Sequence, residues 1–140
     1  MIDLTGETPT LLRPGSITAL ELAEVLGTVI DLADDSKAGH SPGMKYRHYA
    51  PEIAVVLYDS PADFAKHLDQ TRLSSYHVLS NHPLTELGIP TTHLLNPQTL
   101  FAEFRAAEKY GASEIAVVLD PTTLSNAGLM NRIKKAAAGD

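Results

Sequence analysis

Cysteine is absent from this 140-residue chain. Its absence excludes a disulfide scaffold, thiolate-bound zinc, iron–sulfur clusters and a cysteine nucleophile, and it fits a reducing, cytoplasmic compartment. Basic charge is in the minority, with 11 Lys and Arg against 17 Asp and Glu, so the formal net charge is −6. An acidic chain is poorly suited to wrapping duplex DNA, which needs an excess of positive charge. No apolar run approaches the roughly 20 residues of a transmembrane helix, so no membrane partner is expected. Residues 1–7 have no basic region leading into a long apolar core and do not read as a signal peptide. Neither common Gly-rich phosphate-binding fingerprint occurs, nor does a Gly-x-Ser-x-Gly nucleophile elbow. The six histidines, His40, His48, His67, His77, His82 and His93, show no metal-ligand spacing with carboxylates. His77 and His82 stand five apart in a strand-to-loop segment and read as surface or internally satisfied side chains. No metal site is expected.

What is present is ordinary globular composition, 44% apolar and 20% charged, in a length that suits one compact domain and a short appendage. Residues 1–27 read as strand, turn, strand, helix. Thr10-Leu11-Leu12-Arg13 is a short extended run stopped by Pro14-Gly15. Thr18 and Glu21 fit a capping box that opens an apolar stripe of Leu22, Ala23 and Leu26, closed by Gly27. A strand starting at residue 1 has no room for an earlier partner, so the chain is expected to begin inside a larger unit. Residues 31–43 show no period and read as a linker.

From residue 53 the pattern becomes regular. Ile53-Ala54-Val55-Val56-Leu57 and Ile115-Ala116-Val117-Val118-Leu119 are the same pentapeptide, and each is followed by Asp and Pro and then a helix. Continuous apolar runs of this length suit strands covered on both faces. Tyr76-His77-Val78-Leu79-Ser80 is another strand candidate, and Thr92-His93-Leu94-Leu95 a weaker one. The stripes Phe64, Ala65, Leu68, then Leu100, Phe101, Phe104, Ala107, then Met130, Ile133, Ala137 supply the helices between and after them. Strands alternating with helices predict an α/β fold, an open parallel sheet with flanking helices. Ligands in such sheets sit at the carboxyl ends of the strands. Asp59, Ser80, Asn81, Asp120 and Thr122 would lie there, although turns and helix caps use the same residue types.

Two features suggest chemistry. Residues 44–51 concentrate Lys45, Tyr46, Arg47, His48 and Tyr49 between Pro42-Gly43 and Pro51. Extended, this strip points Lys45, Arg47 and Tyr49 one way and Tyr46 and His48 the other. It can place cations on phosphate oxygens and a phenol on a base or ribose. An exposed hinge is the plain alternative. Single-stranded nucleic-acid binding is compatible with the strip, but the acidic remainder counts against it. Arg13, held between an apolar strand and Pro14-Gly15, suits bidentate phosphate or carboxylate recognition or an ordinary salt bridge.

Ser41-Pro42-Gly43-Met44-Lys45-Tyr46-Arg47-His48-Tyr49-Ala50-Pro51 closely resembles the interdomain linker of the two-domain L-threonylcarbamoyladenylate synthases. Ile2-Asp3-Leu4-Thr5-Gly6 and Leu12-Arg13-Pro14-Gly15-Ser16-Ile17-Thr18 look like the end of that family's YrdC-type catalytic domain. The resemblance implies three parts: an incomplete YrdC-type end at 1–30, a linker at 31–52, and a small Rossmann-like α/β domain at 53–140. It further implies a nucleotidyltransferase that makes threonylcarbamoyl-AMP and pyrophosphate from L-threonine, bicarbonate and ATP, for N6-threonylcarbamoyladenosine in tRNA. ATP would be a substrate, with Mg2+ in the full enzyme. By the same resemblance Arg13 and a linker tyrosine, Tyr49 in preference to Tyr46, contact the nucleotide, and Lys45, Arg47 and His48 belong to a gate over the cleft. The family's catalytic-domain Lys-x-Arg element, Ser-Ala-x-x-Ala-Asn-like stretch and threonine-binding segment are missing from the part that resembles that domain. The expectation is therefore a C-terminal fragment, inactive alone, that serves a catalytic domain in cis or in trans. An autonomous α/β module binding a small ligand or a partner is the alternative.

Overall fold

The computed structural model describes residues 1–33 and 50–138. The linker residues Lys45, Tyr46, Arg47, His48 and Tyr49 lie outside the described residues. Two small sheets carry the described chain.

The first sheet has the order β1 (Ile2–Asp3), β2 (Thr10–Leu11), β3 (Asp31–Leu32), with β1 antiparallel and β3 parallel to β2. Asp31 and Leu32 read as linker in the sequence, because two residues are too few to show a period. Pairing with β2 makes them a strand, through bonds such as Asp31 N–H to Pro9 C=O at 2.9 Å. Helix α1 (Ala19–Leu26) begins with the expected capping box. The Glu21 N–H donates to Thr18 Oγ1 at 3.2 Å, and the Thr18 N–H donates to Glu21 Oε2 at 2.8 Å. Gly27, at φ 66°, closes the helix in the left-handed conformation that glycine adopts without steric cost. Nothing in α1 is buried.

The second sheet is all parallel in the order β4 (Ala54–Tyr58), β6 (Glu114–Val118), β5 (Tyr76–Leu79). The repeated pentapeptides are therefore neighbours. Val55 pairs with Ile115 and Leu57 with Val117, so the copies are slipped by two residues. A slip of two keeps each position on its original face, whereas a slip of one would invert every side chain. Ile115, Val117 and Leu119 join Val55 and Leu79 beneath α3 (Leu100–Tyr110) and α5 (Ala127–Ala138), where Phe104, Ala107, Leu129 and Ile133 are buried. On the other face Tyr58, Val78, Ala116 and Val118 pack against Phe64 of α2 (Pro61–His67) and against Leu84 and Ile89. The Tyr58 and Phe64 rings sit 4.9 Å apart, and the Tyr58 hydroxyl donates to Glu114 Oε1 at 2.8 Å.

The expectation of strands covered on both faces holds for central β6. It needs correction for β4, an edge strand with Ala54 exposed and Val56 and Leu57 only partly covered. The weaker strand at 92–95 is also corrected. Only His93 pairs with β5, donating its N–H to Val78 C=O and accepting from Ser80 N–H. Leu94 is exposed, and Asn96 already begins the turn into α3 by accepting from the N–H groups of Gln98 and Thr99, so the ladder stops. Among the described residues no helix is long and apolar enough to cross a membrane.

Candidate functional site

The carboxyl ends of β4, β5 and β6 gather most of the polar residues expected there. Asp120 caps α4 (Pro121–Ser125) by accepting from the Thr123 N–H at 2.7 Å. Asn81 Nδ2 donates to Asp120 Oδ1 at 3.3 Å and to Thr123 Oγ1 at 3.1 Å. His82 Nε2 lies 3.3 Å from Asp120 Oδ2, with its ring 65% exposed over a nearly buried carboxylate. Burial acts to raise the pKa of Asp120. The hydrogen bonds from Thr123 and Asn81 and the charge of His82 outweigh it, so the carboxyl stays below its ordinary value. Ser80 accepts from the His82 N–H at 3.1 Å and fixes the turn. Thr122, expected in this group, is exposed and engages Ser125 through its carbonyl, while Thr123 takes the inner position. Asp59 stays apart, its N–H directed at Asp63 Oδ2. Asn81 and Asp120 are thus brought together, with a solvent-facing imidazole oriented by a fixed anion.

A second group lies lower on the same sheet, and sequence spacing missed it. His77 Nε2 of β5 donates to Glu103 Oε2 of α3 at 3.0 Å, and His93 Nδ1 lies 3.0 Å from that same oxygen. The imidazoles stack with centroids 4.1 Å apart. Burial pulls the His77 ring below its usual pKa and His93 pulls the same way, against the opposing hydrogen bond and charge of Glu103. His77 and His82, close in sequence, thus serve different groups. The signal that could have found the trio was long-range, since the strand, the edge segment and the helix meet only in the folded sheet.

Arg13 is exposed, and no carboxylate pairs with it among the described residues. Its backbone is held on both sides. The Met1 ammonium donates to the Arg13 carbonyl at 2.8 Å, and the Arg13 N–H donates to the Met1 carbonyl at 3.2 Å. A guanidinium on an anchored backbone, unpaired among the described residues, has the donor geometry for a phosphate or carboxylate. An open cleft of about 470 Å³ lies across the same sheet, and Asp3, Glu7 and Asp31 give it an acidic lining.

Residues 17–138, more than half of the chain, match the family model described as the threonylcarbamoyl-AMP synthase C-terminal domain. The chain belongs to that family. It is 27% identical to the threonylcarbamoyl-AMP synthase of Bacillus subtilis (strain 168) over 154 aligned positions, which cover 99% of this chain and 44% of that protein. It is 43% identical over 67 residues to the threonylcarbamoyl-AMP synthase of Pyrococcus abyssi, covering 45% of this chain and 20% of the relative. The crystal structure of P. abyssi Sua5 complexed with L-threonine matches with a TM-score of 0.70 at 24% identity, over 98% of this chain and 44% of that one. This last likeness establishes the α/β fold. The chain spans less than half the length of these relatives.

Proposed function

We propose that this chain supplies the accessory domain and gating linker of a threonylcarbamoyl-AMP synthase and is inactive by itself. The reaction would join L-threonine, bicarbonate and ATP into threonylcarbamoyl-AMP, pyrophosphate and water, and the product would serve tRNA modification. The observation that carries this reading is the family match combined with coverage of only 44% of the Bacillus relative. The surface supports it. Of the eleven large apolar side chains exposed among the described residues, eight lie in residues 1–32, including Ile17, Leu20, Val25 and Val29. A face of that kind suits burial against the rest of a catalytic domain.

In this reading Arg13 binds the nucleotide's phosphate through its paired N–H donors, and Tyr49, or Tyr46 in its place, meets the base or ribose. Lys45, Arg47 and His48 close over the cleft and add positive charge. Mg2+ is assigned in this reading to the catalytic domain and the substrate phosphates, the oxygen ligands it prefers.

The test mixes this chain with a separately expressed YrdC-type catalytic domain and follows pyrophosphate release dependent on L-threonine and bicarbonate. Activity should change on mixing, and Arg13→Ala should remove roughly tenfold or more of the gain, the worth of a charge-assisted phosphate bond. No effect of the chain at any ratio would sink the proposal. An autonomous ligand-binding module is favoured by one observation, the exposed His82 held by Asp120 at the strand ends. That reading predicts a small-molecule melting shift without any catalytic domain, abolished by Asp120→Ala.

A further inference from the structure

We propose that His77, His93 and Glu103 form a binding site for a borderline divalent transition-metal ion of the zinc class. The inference is independent of the synthase reading. Three donors from three separate elements converge, with their ligand atoms all within 4.8 Å of one another. Both imidazole nitrogens lie 3.0 Å from Glu103 Oε2. Donors each ~2.1 Å from a tetrahedral zinc ion lie about 3.4 Å apart, so these contacts need open by only a few tenths of an ångström to share one ion. Two imidazoles and one carboxylate select zinc, cobalt or nickel over magnesium or calcium, which favour all-oxygen shells.

The supports are firm. The His93 backbone is bonded to Val78 and Ser80 on both sides, and His77 is only 6% exposed within β5. Glu103 sits on α3 beside buried Phe104. The stacked rings, with planes 20° apart, must open for both lone pairs to meet one ion. His93, with 33% of its side chain exposed, is the ring with solvent beside it, so it does the turning. That same exposure leaves room for water at the remaining coordination positions. Each ligating nitrogen must present a free lone pair to the ion, so protons compete with the metal and binding weakens in acid. The bound ion would tie the 92–94 edge segment and α3 to β5.

The experiment titrates the full chain with Zn2+ by calorimetry and with Co2+ by visible absorption, at neutral pH. One ion per chain is expected, with a raised melting temperature. His93→Ala and Glu103→Gln, both at partly exposed positions, should each weaken binding by more than about tenfold while circular dichroism stays unchanged. His67→Ala, at an exposed histidine elsewhere, should leave binding intact. Absence of uptake would overturn the site. So would uptake unaffected by both His93→Ala and Glu103→Gln, which would place the ion on other histidines.

Discussion

Single side chains in this protein gain their properties from what surrounds them. Arg13 and His77 are both candidates for charge, yet one is exposed with no ion-pair partner among the described residues and the other is buried against a carboxylate. His77 titrates below its ordinary value because burial disfavours the imidazolium more than Glu103 favours it. Between the folded value and the unfolded value of about 6.5, the unfolded chain holds the extra proton. His77 therefore contributes stability in full above the unfolded value and loses it as pH falls through the folded one. Urea unfolding between neutral pH and pH 5 should show this decline, and His77→Gln should flatten it. An unchanged slope in the variant would assign the effect to another group. Asp120 has the same sign in a lower window. Its contribution is complete above about 3.9 and is lost as pH falls through its depressed folded value.

At the scale of elements, helices of similar amphipathic appearance meet opposite fates. The stripe of α3 buries Leu100, Phe104 and Ala107, whereas α1 buries nothing and leaves Leu20 at 71% exposure. Phe104→Ala should cost about 3–5 kcal/mol in denaturant unfolding, because it empties a packed volume between β6 and α3. Leu20→Ala should change stability by no more than about 0.5 kcal/mol, since that side chain already faces solvent. Comparable losses in the two variants would show that α1 is packed in solution. The capping box of α1 and its Gly27 stop were both legible in the sequence. Each is a local device, written within four residues of the helix end it serves. Strand β3 and the one-residue ladder at His93 were not legible, because they exist only through partners far along the chain.

For the molecule as a whole, the question is how residues 1–33 sit on the parallel-sheet domain. One close approach is visible: a Cβ added at Gly128 would fall 3.1 Å from the Gly15 carbonyl carbon and 3.2 Å from its Cα. Gly128 opens α5, so the Pro14-Gly15 turn rests on the start of the last helix through bare backbone. Gly128→Ala should favour the helix by about 1 kcal/mol and push that turn away. The melting temperature should hold or rise while protease cleavage within residues 1–33 accelerates. Unchanged cleavage would mean the turn follows the helix without strain. The eight exposed apolar side chains of residues 1–32 agree with a segment whose main partner lies elsewhere.

The linear order of residues by itself determined the alternation of strands and helices, the parallel sheet and its caps, and the family to which the chain belongs. These follow from short-range periodicity and from motifs only a few residues long. Tertiary structure alone decided that the two Ile-Ala-Val-Val-Leu copies pair with a slip of two, and that β6 rather than β4 lies in the centre. It also decided that Asn81 would meet Asp120, and that His77, His93 and Glu103 would meet across 26 residues. The physical reason is that side chains from different elements converge only after strand order and register are chosen. That choice is made by burying two faces of one sheet at once, a condition no window of sequence contains.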